Sequence, residues 1–260
     1  MLADINQAAD VGALASASGG AAVATGVSAE TWFDVEAHDK FGNLLWTERC
    51  HNRVVTAGLN KLLDATFKTG LTTPAWYIGL VARSLTDGAM TATDPTLTSA
   101  SNPFTAGDAG RAIIVRGAGT AGADLVTTIL TYTNAGSVEL AANAGTSVTG
   151  AYALFDARAA DTSSSHSPWT ESTAYDEAAR QDFTPGTIAS GSVDNSASKA
   201  VFTISTDNTL IGGLFTIDDD TKGGTTGTLY GMAPFASVGF RQLNDGDTLS
   251  VTATLSVTAT

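Results

Sequence analysis

The segment from Gly117 to Gly122 comes closest to a known cofactor motif. Gly117, Gly119 and Gly122 fit the G-x-G-x-x-G pattern of dinucleotide-binding loops. In that motif a helix must begin at the loop, because the helix N-terminus binds the pyrophosphate. The residues that follow here, 123–133, are rich in β-branched side chains and predict a strand instead. We therefore interpret the segment as a hairpin loop and expect no bound cofactor.

Three consecutive acids, Asp218, Asp219 and Asp220, are a second candidate, in this case for calcium binding. An EF-hand loop needs alternating acids and a glutamate at its twelfth position. Counting from Asp218, the fifth residue is Lys222 and the twelfth is Leu229, so the pattern does not fit. We interpret the segment as a charged exposed loop, with a weak cation site as the alternative.

The histidines and the single cysteine are candidates for metal binding or nucleophilic catalysis. His38, His51 and His166 lie far apart in the sequence. Cys50 and His51 are adjacent, and neighbouring residues of a strand point to opposite faces, so this pair is a poor chelate. The sequence contains no G-x-S-x-G, H-E-x-x-H or P-loop motif. We expect no catalytic or metal site, and we expect Cys50 to be a buried free thiol.

Carboxylates and tryptophans could together serve carbohydrate chemistry. A glycosidase needs a pair of carboxylates across the scissile bond, and the following acids lie near an aromatic-rich stretch: Glu171, Asp176, Glu177 and Asp182. Sequence does not fix their separation, and we interpret them as ordinary surface acids. Four tryptophans are candidate sugar platforms: Trp32, Trp46, Trp76 and Trp169. Trp76 lies in an apolar run and is expected in the core, whereas Trp169 and then Trp32 are the best candidates for surface contacts.

Strands and turns must position these residues. Alternating apolar side chains predict a first strand pair over 31–38 and 44–49, and the dense apolar run 76–82 predicts a central buried strand. Further strands are predicted over 112–116, 125–133, 137–141, 151–158, 201–205, 209–217, 228–235 and 248–258. The last of these has the cleanest alternation, which indicates one buried and one solvated face.

One helix is predicted after Thr56, which can cap it, and Gly70 would end it. Its apolar residues recur at helical spacing on one face: Leu59, Leu62, Leu63 and Phe67. A single short helix of this kind usually lies across one face or end of a sheet.

Composition limits the classes of function. Only 15% of the 260 residues are charged, compared with about a quarter in an ordinary globular protein. Gly, Ala, Thr and Ser take the place of the missing charged residues, which is typical of strands and turns. The net charge of −13, without a cluster of Lys and Arg, argues against binding to nucleic acid or to an anionic membrane. The N-terminus predicts no signal peptide and no segment predicts a membrane span, so we expect synthesis in a cytoplasm.

Several stretches carry a resemblance to known proteins. They are WYIGL at 76–80, SHSPWTE at 165–171 with Tyr175, Arg180 and Phe183 after it, KGGTTGTLY at 222–230, and TAGLN at 56–60. Together they resemble a family of tailed-bacteriophage virion proteins that are often encoded near the major capsid gene. Residues 104–122 are similar to a small β module of phage tail fibres and tailspikes. The resemblance implies a place in the virion without identifying which part.

We therefore predict an all-β protein, a jelly-roll-like β-sandwich with one short helix and an inserted small β-barrel or sandwich domain. The expected divisions are a flexible N-terminal arm at 1–29, a parent domain at 30–94 plus 161–260, and an insert at 95–160. The arm offers Ile5, Val11 and Leu14 as contacts.

The predicted function is that of a capsid decoration or cement protein and not of an enzyme. Its expected partners are the major capsid protein or other virion proteins, and further copies of itself, with a trimer favoured. The alternatives are a head-fibre, collar or tail protein that attaches to the host surface, and a surface module that binds host glycans.

Overall fold

A computed structural model of the chain describes residues 27–68, 75–165 and 169–259. It confirms the predicted all-β fold, with a single α-helix, α1 (Thr56–Phe67), among the described residues. The strands in chain order are β1 (Val27–His38), β2 (Leu44–His51), β3 (Arg53–Val54), β4 (Trp76–Arg83), β5 (Leu85–Met90), β6 (Thr96–Ser99), β7 (Ala112–Val115), β8 (Leu125–Asn134), β9 (Ser137–Leu140), β10 (Val148–Phe155), β11 (Thr170–Ser172), β12 (Gln181–Phe183), β13 (Ser192–Asp194), β14 (Ala200–Thr203), β15 (Thr209–Ile211), β16 (Gly213–Ile217), β17 (Leu229–Pro234), β18 (Arg241–Leu243) and β19 (Thr248–Ala259).

The first sheet joins the beginning and the end of the described chain. Its strand order is β13-β19-β1-β2, with β14 also pairing β19. β1 and β19 are antiparallel from the pair Val27–Ala259 to the pair His38–Thr248. Apolar residues alternate along both strands, so Phe33 and Val251 are buried on the inner face, as the predicted alternation required.

The second sheet has the order β11-β4-β16-β17-β3, and β12 also pairs β4. The predicted central strand is β4, which has hydrogen-bonded neighbours on both sides. Ile78 and Leu214 of this sheet share a buried core with Phe33 and Val251 of the first sheet. The two sheets therefore form a sandwich, and each contributes one apolar face to its core.

Six strands between the halves of the sandwich close into a barrel in the order β10-β5-β6-β9-β8-β7. Its interior is filled by buried apolar side chains that include Leu97, Ile129 and Phe155. The Gly117–Gly122 segment connects β7 to β8, as expected of a hairpin loop. Gly117 has a positive φ of 74°, and its N–H donates to the Asp124 carboxylate at 3.0 Å.

Two of the predicted boundaries were wrong. The barrel begins at Leu85 and not at residue 95, because β4 runs into β5 with Ser84 as the one residue between them, and β5 pairs with β10. Residues 27–29, which were expected in the arm, belong to β1 because they pair with the end of β19. The proposed arm contacts Ile5, Val11 and Leu14 lie outside the described residues.

The barrel packs against the face of the second sheet that points away from the sandwich core. Ile114 and Leu154 from the barrel share a third apolar cluster with Val81, Phe215 and Met232 from the sheet. Burial of such side chains stabilises the contact by roughly 25 cal/mol for each Å² of apolar surface. The barrel is therefore joined to the sandwich by packing as well as by its two chain connections.

The orientation of α1 differs from the prediction. A Cβ atom on Gly58 would lie 2.5 Å from the Tyr230 carbonyl oxygen, so the glycine side of the helix faces β17. Most of the predicted apolar face points outward instead: Leu59, Leu63 and Phe67 are 40%, 53% and 78% exposed, whereas Leu62 is half-buried. The N-cap is Val55 and no side chain caps the helix; Gly70 lies outside the described residues.

Candidate functional site

Two segments that lie far apart in the sequence, one around Glu171 and one around Gly224, meet at one cavity. The cavity has a volume of about 280 Å³, and its lining includes Trp169, Glu171, Arg180, Phe215, Gly223 and Thr225. β11 brings Glu171 to the edge of β4, while the loop between β16 and β17 contributes Gly223 and Thr225. Residues separated by about fifty positions in the sequence thus form one site.

Arg180 is the centre of this site and is 3% exposed. Its Nε and Nη2 atoms donate to the two carboxylate oxygens of Glu171 at 3.1 Å and 2.8 Å. The guanidinium also donates to the carbonyl oxygens of Asp219 and Gly224, and it lies 5.1 Å from the centre of the Phe215 ring. A buried Arg needs such partners, because an unpaired charge in the interior is costly.

Glu171 was expected to be a surface acid, and this prediction was wrong. Its side chain is 8% exposed, because its charge is paired with Arg180. The carboxylate also accepts the N–H of Gly223 at 2.9 Å. Because the Glu171 oxygens already accept hydrogen bonds from Arg180 and Gly223, this carboxylate is better suited to holding the loop between β16 and β17 than to transferring a proton.

A cation of the same loop, Lys222, anchors it to the segment that precedes Arg180. The Lys222 Nζ donates to the carbonyl oxygens of Tyr175 and Glu177 at 2.9 Å and 2.6 Å, and it lies 4.3 Å from the centre of the Tyr175 ring. Burial raises the pKa of the Tyr175 hydroxyl above its ordinary range. Asp218 pairs with Lys61 of α1 at 3.1 Å, so this acid interacts with a protein cation.

One tryptophan, Trp169, does not lie where the sequence suggested. Trp169 was predicted to be an exposed contact, yet it is 4% exposed and packs on Phe215 with 5.1 Å between ring centres. The reason is that β11 begins directly after it and pairs with β4, which places the indole under the barrel. Trp32 is half-buried on the outer face of the first sheet, where the Arg49 guanidinium lies 5.8 Å from its ring.

The remaining candidates are scattered. Cys50 is buried in the sandwich core as a free thiol, and burial raises the pKa of this thiol. His51 beside it is exposed, as expected for neighbours on a strand, and His166 lies outside the described residues. Within residues 27–68, 75–165 and 169–259, no group of three or more His, Cys, Asp or Glu side chains is arranged to hold a metal ion.

Sequence reasoning missed two exposed apolar surfaces. The first, here the helix stripe, consists of Leu59, Leu63 and Phe67. The second, here the hairpin tip, consists of Phe41 in the turn between β1 and β2 and of Leu44 and Leu45 at the start of β2, which are 80%, 58% and 48% exposed. The helical spacing of the stripe was visible in the sequence, but nothing in that spacing shows that Gly58 would take the buried side. Exposed apolar groups of this kind often mark contact surfaces.

The described part of the chain has no helix with the length and apolarity needed to cross a bilayer. Comparisons with family models, with curated proteins and with solved structures give no significant match.

Proposed function

We propose that the protein is a structural component of a tailed-phage virion, which decorates the capsid and stabilises it by contacts that bridge shell subunits. The observation that carries the proposal is the helix stripe, which faces outward because α1 packs on β17 through its opposite side, at Gly58. Burial of Leu63 and Phe67 against a partner would supply the affinity for such a contact.

Electrostatics support a protein partner. The net charge of −13 opposes contact with nucleic acid or anionic lipid and favours neutral or basic protein surfaces. The major capsid protein is the partner proposed here, and a homotrimer at the junctions of the shell is the favoured assembly. The resemblance to virion proteins supports the same conclusion, and two residues of its segments, Glu171 and Gly224, both accept hydrogen bonds from Arg180.

A co-sedimentation experiment tests the proposal. Purified protein is mixed with mature capsids from which it has been stripped, and the bound copies are counted. Saturable binding at hundreds of copies per shell is expected, with loss of binding in a Leu63→Ser/Phe67→Ser double variant. The matched control is Phe41→Ser at the hairpin tip, which removes an exposed aromatic residue at a different place. No binding, or equal binding by the double variant, would contradict the proposal.

A head-fibre, collar or tail protein is the alternative, and the barrel favours it. The barrel is a separate closed module, and residues 104–122 within it are similar to modules of tail fibres. Copy number separates the two functions, because fibres and collars are present in tens of copies or fewer. Quantitative mass spectrometry of purified virions gives that number directly.

A further inference from the structure

The outer face of the first sheet carries a groove that the proposed capsid contact does not use. The groove has a volume of about 500 Å³, and its lining includes Asp34, Glu36, Arg49, Ser196, Lys199 and Thr252. It lies across β2, β1 and β19, on the side opposite the sandwich core. We call it the outer groove.

One wall of the outer groove is a loop held in a fixed position. Asn195 at the base of this loop is fully buried, and its side chain accepts the N–H of Ala253 at 2.7 Å and donates to the carbonyl oxygen of Val251 at 3.3 Å. The loop therefore binds the edge of β19 in the gap between β13 and β14. Ser196 and Lys199 stand on the loop and face the groove.

Two ion pairs cross the floor of the groove. Arg49 donates to both carboxylate oxygens of Asp34 at 2.6 Å and 2.8 Å. Lys199 reaches over β19 to Glu36 at 2.9 Å. Each of these groups keeps unused hydrogen-bonding capacity, because a guanidinium has five N–H donors and a carboxylate has about four acceptor sites. The floor thus presents donors and acceptors side by side.

Trp32 extends this surface at one end. It lies two residues from Asp34 on the same face of β1, about 6.6 Å along the strand. Its indole is half-buried, and the Arg49 guanidinium lies beside it. Thr252 and Ser250 of β19 add hydroxyl groups on the same face, opposite Asp34 and Glu36.

We propose that the outer groove, together with Trp32, binds a neutral oligosaccharide of pyranose rings. Sugar hydroxyls both donate and accept, so they match a surface on which each cation is paired with an acid. An anionic ligand would meet Asp34 or Glu36 beside each cation, and a cationic ligand would meet Arg49 or Lys199 beside each acid. The apolar face of a pyranose ring would pack on the indole of Trp32.

The test begins with a glycan array that carries neutral, sialylated and sulfated oligosaccharides, probed with the full chain. We expect binding to neutral members. The strongest neutral binder is then titrated by calorimetry, where Trp32→Ala and Asp34→Asn should each weaken binding about tenfold or more. Arg49→Gln provides a third variant; its side chain is 60% exposed, so the fold should tolerate the change.

The matched control is Phe41→Ala, an exposed aromatic residue at the hairpin tip and outside the groove, which should bind as the unchanged protein does. Absence of binding to neutral glycans, or binding to anionic glycans alone, overturns the proposal. So does equal affinity in the folded Asp34→Asn and Arg49→Gln variants. Capsid co-sedimentation is unaffected by either result, so this inference and the proposed capsid function can fail separately.

Discussion

Asp108 and Arg158 form a salt bridge of 2.5 Å although they lie 50 residues apart in the chain. Arg111 binds the same carboxylate oxygen at 2.5 Å, and its guanidinium also donates to the carbonyl oxygen of Asp156. Asp108 is fully buried and Arg111 is 2% exposed. The cluster lies where β7 pairs with β10, so it holds together the strands that close the barrel, at the point where the chain returns to the sandwich.

Asp108→Asn should destabilise the protein by about 3 kcal/mol, because two guanidinium groups would lose their buried counter-charge. Urea denaturation, followed by fluorescence, measures the change in the free energy of unfolding. Asp64→Asn is the control: its pair with Lys68 is exposed, so that variant should lose less than about 0.5 kcal/mol. Similar losses in both variants would show that the buried cluster contributes little.

The same carboxyl group predicts loss of stability in acid. Burial favours a raised pKa for Asp108, but hydrogen bonds from Arg111, Thr105 and Arg158 outweigh it and hold the pKa below its usual value. A carboxyl whose pKa is lower in the folded state stabilises the fold above its unfolded pKa, and the contribution is lost as the pH falls through the folded pKa. Thermal unfolding from about pH 6 to pH 2 should show this loss, with a shallower slope for Asp108→Asn. An equal slope in both proteins would assign the acid sensitivity to other carboxyl groups.

Gly58→Ala should destabilise the protein by about 1–3 kcal/mol, although alanine is the better helix former. The added methyl group would lie 2.5 Å from the Tyr230 carbonyl oxygen, so α1 would have to move away from β17. Gly107→Ala is the control, since the nearest neighbour of its added Cβ would be the Thr105 hydroxyl at 3.8 Å. Calorimetric melting of both variants makes the comparison; an unchanged or raised Tm for Gly58→Ala would show that α1 shifts without cost.

Arg180→Lys should cost about 2 kcal/mol despite the retained charge. An ammonium group cannot make the two parallel bonds to Glu171 while also reaching the Asp219 and Gly224 carbonyl oxygens. The exposed Arg49→Lys is the matched control and should change the free energy of unfolding by less than about 1 kcal/mol. Chemical denaturation of the two variants separates these expectations, and a stable Arg180→Lys protein would mean that charge alone is sufficient at this site.

Cys50 should be unreactive in the native protein. Its thiol is 3% exposed in the sandwich core, and burial raises its pKa, so the reactive thiolate is scarce at neutral pH. A thiol reagent such as DTNB should label the chain only after denaturation. Rapid labelling of the folded protein would show that the strand pair β1–β2 opens readily.

Strand positions followed from the sequence where one face of a strand is buried. The alternation in β19 and in β1 predicted the inward side chains of both, because a strand repeats every two residues. A helix was predicted between a cap at Thr56 and a stop at Gly70, and α1 occupies Thr56–Phe67, yet its buried face was not predicted. Periodicity shows that apolar residues share a face, but the close approach of Gly58 to Tyr230 depends on a contact between distant segments.

The candidate site was less predictable than the fold. Trp169 was expected at the surface because it follows a linker, and Glu171 was expected to be an ordinary surface acid, yet Trp169 is 4% exposed and the Glu171 side chain is 8% exposed. Their burial depends on Arg180, which satisfies the carboxylate, and on the barrel, which covers the indole. Neither cause is visible in local sequence, since the cation lies nine positions along the chain and the barrel is a separate module.

The chain enters the barrel from β4 with one intervening residue, and β11, on the return path, pairs with the end of that same strand at Arg83 and Thr170. A mechanical load on the barrel would therefore be transmitted along the axis of β4. Because β4 is bonded to β16 on one side and to β11 and β12 on the other, the load would act on several hydrogen bonds at once, in shear. We therefore expect tension on the barrel to be resisted by the hydrogen bonds that join β4 to its neighbours in the second sheet.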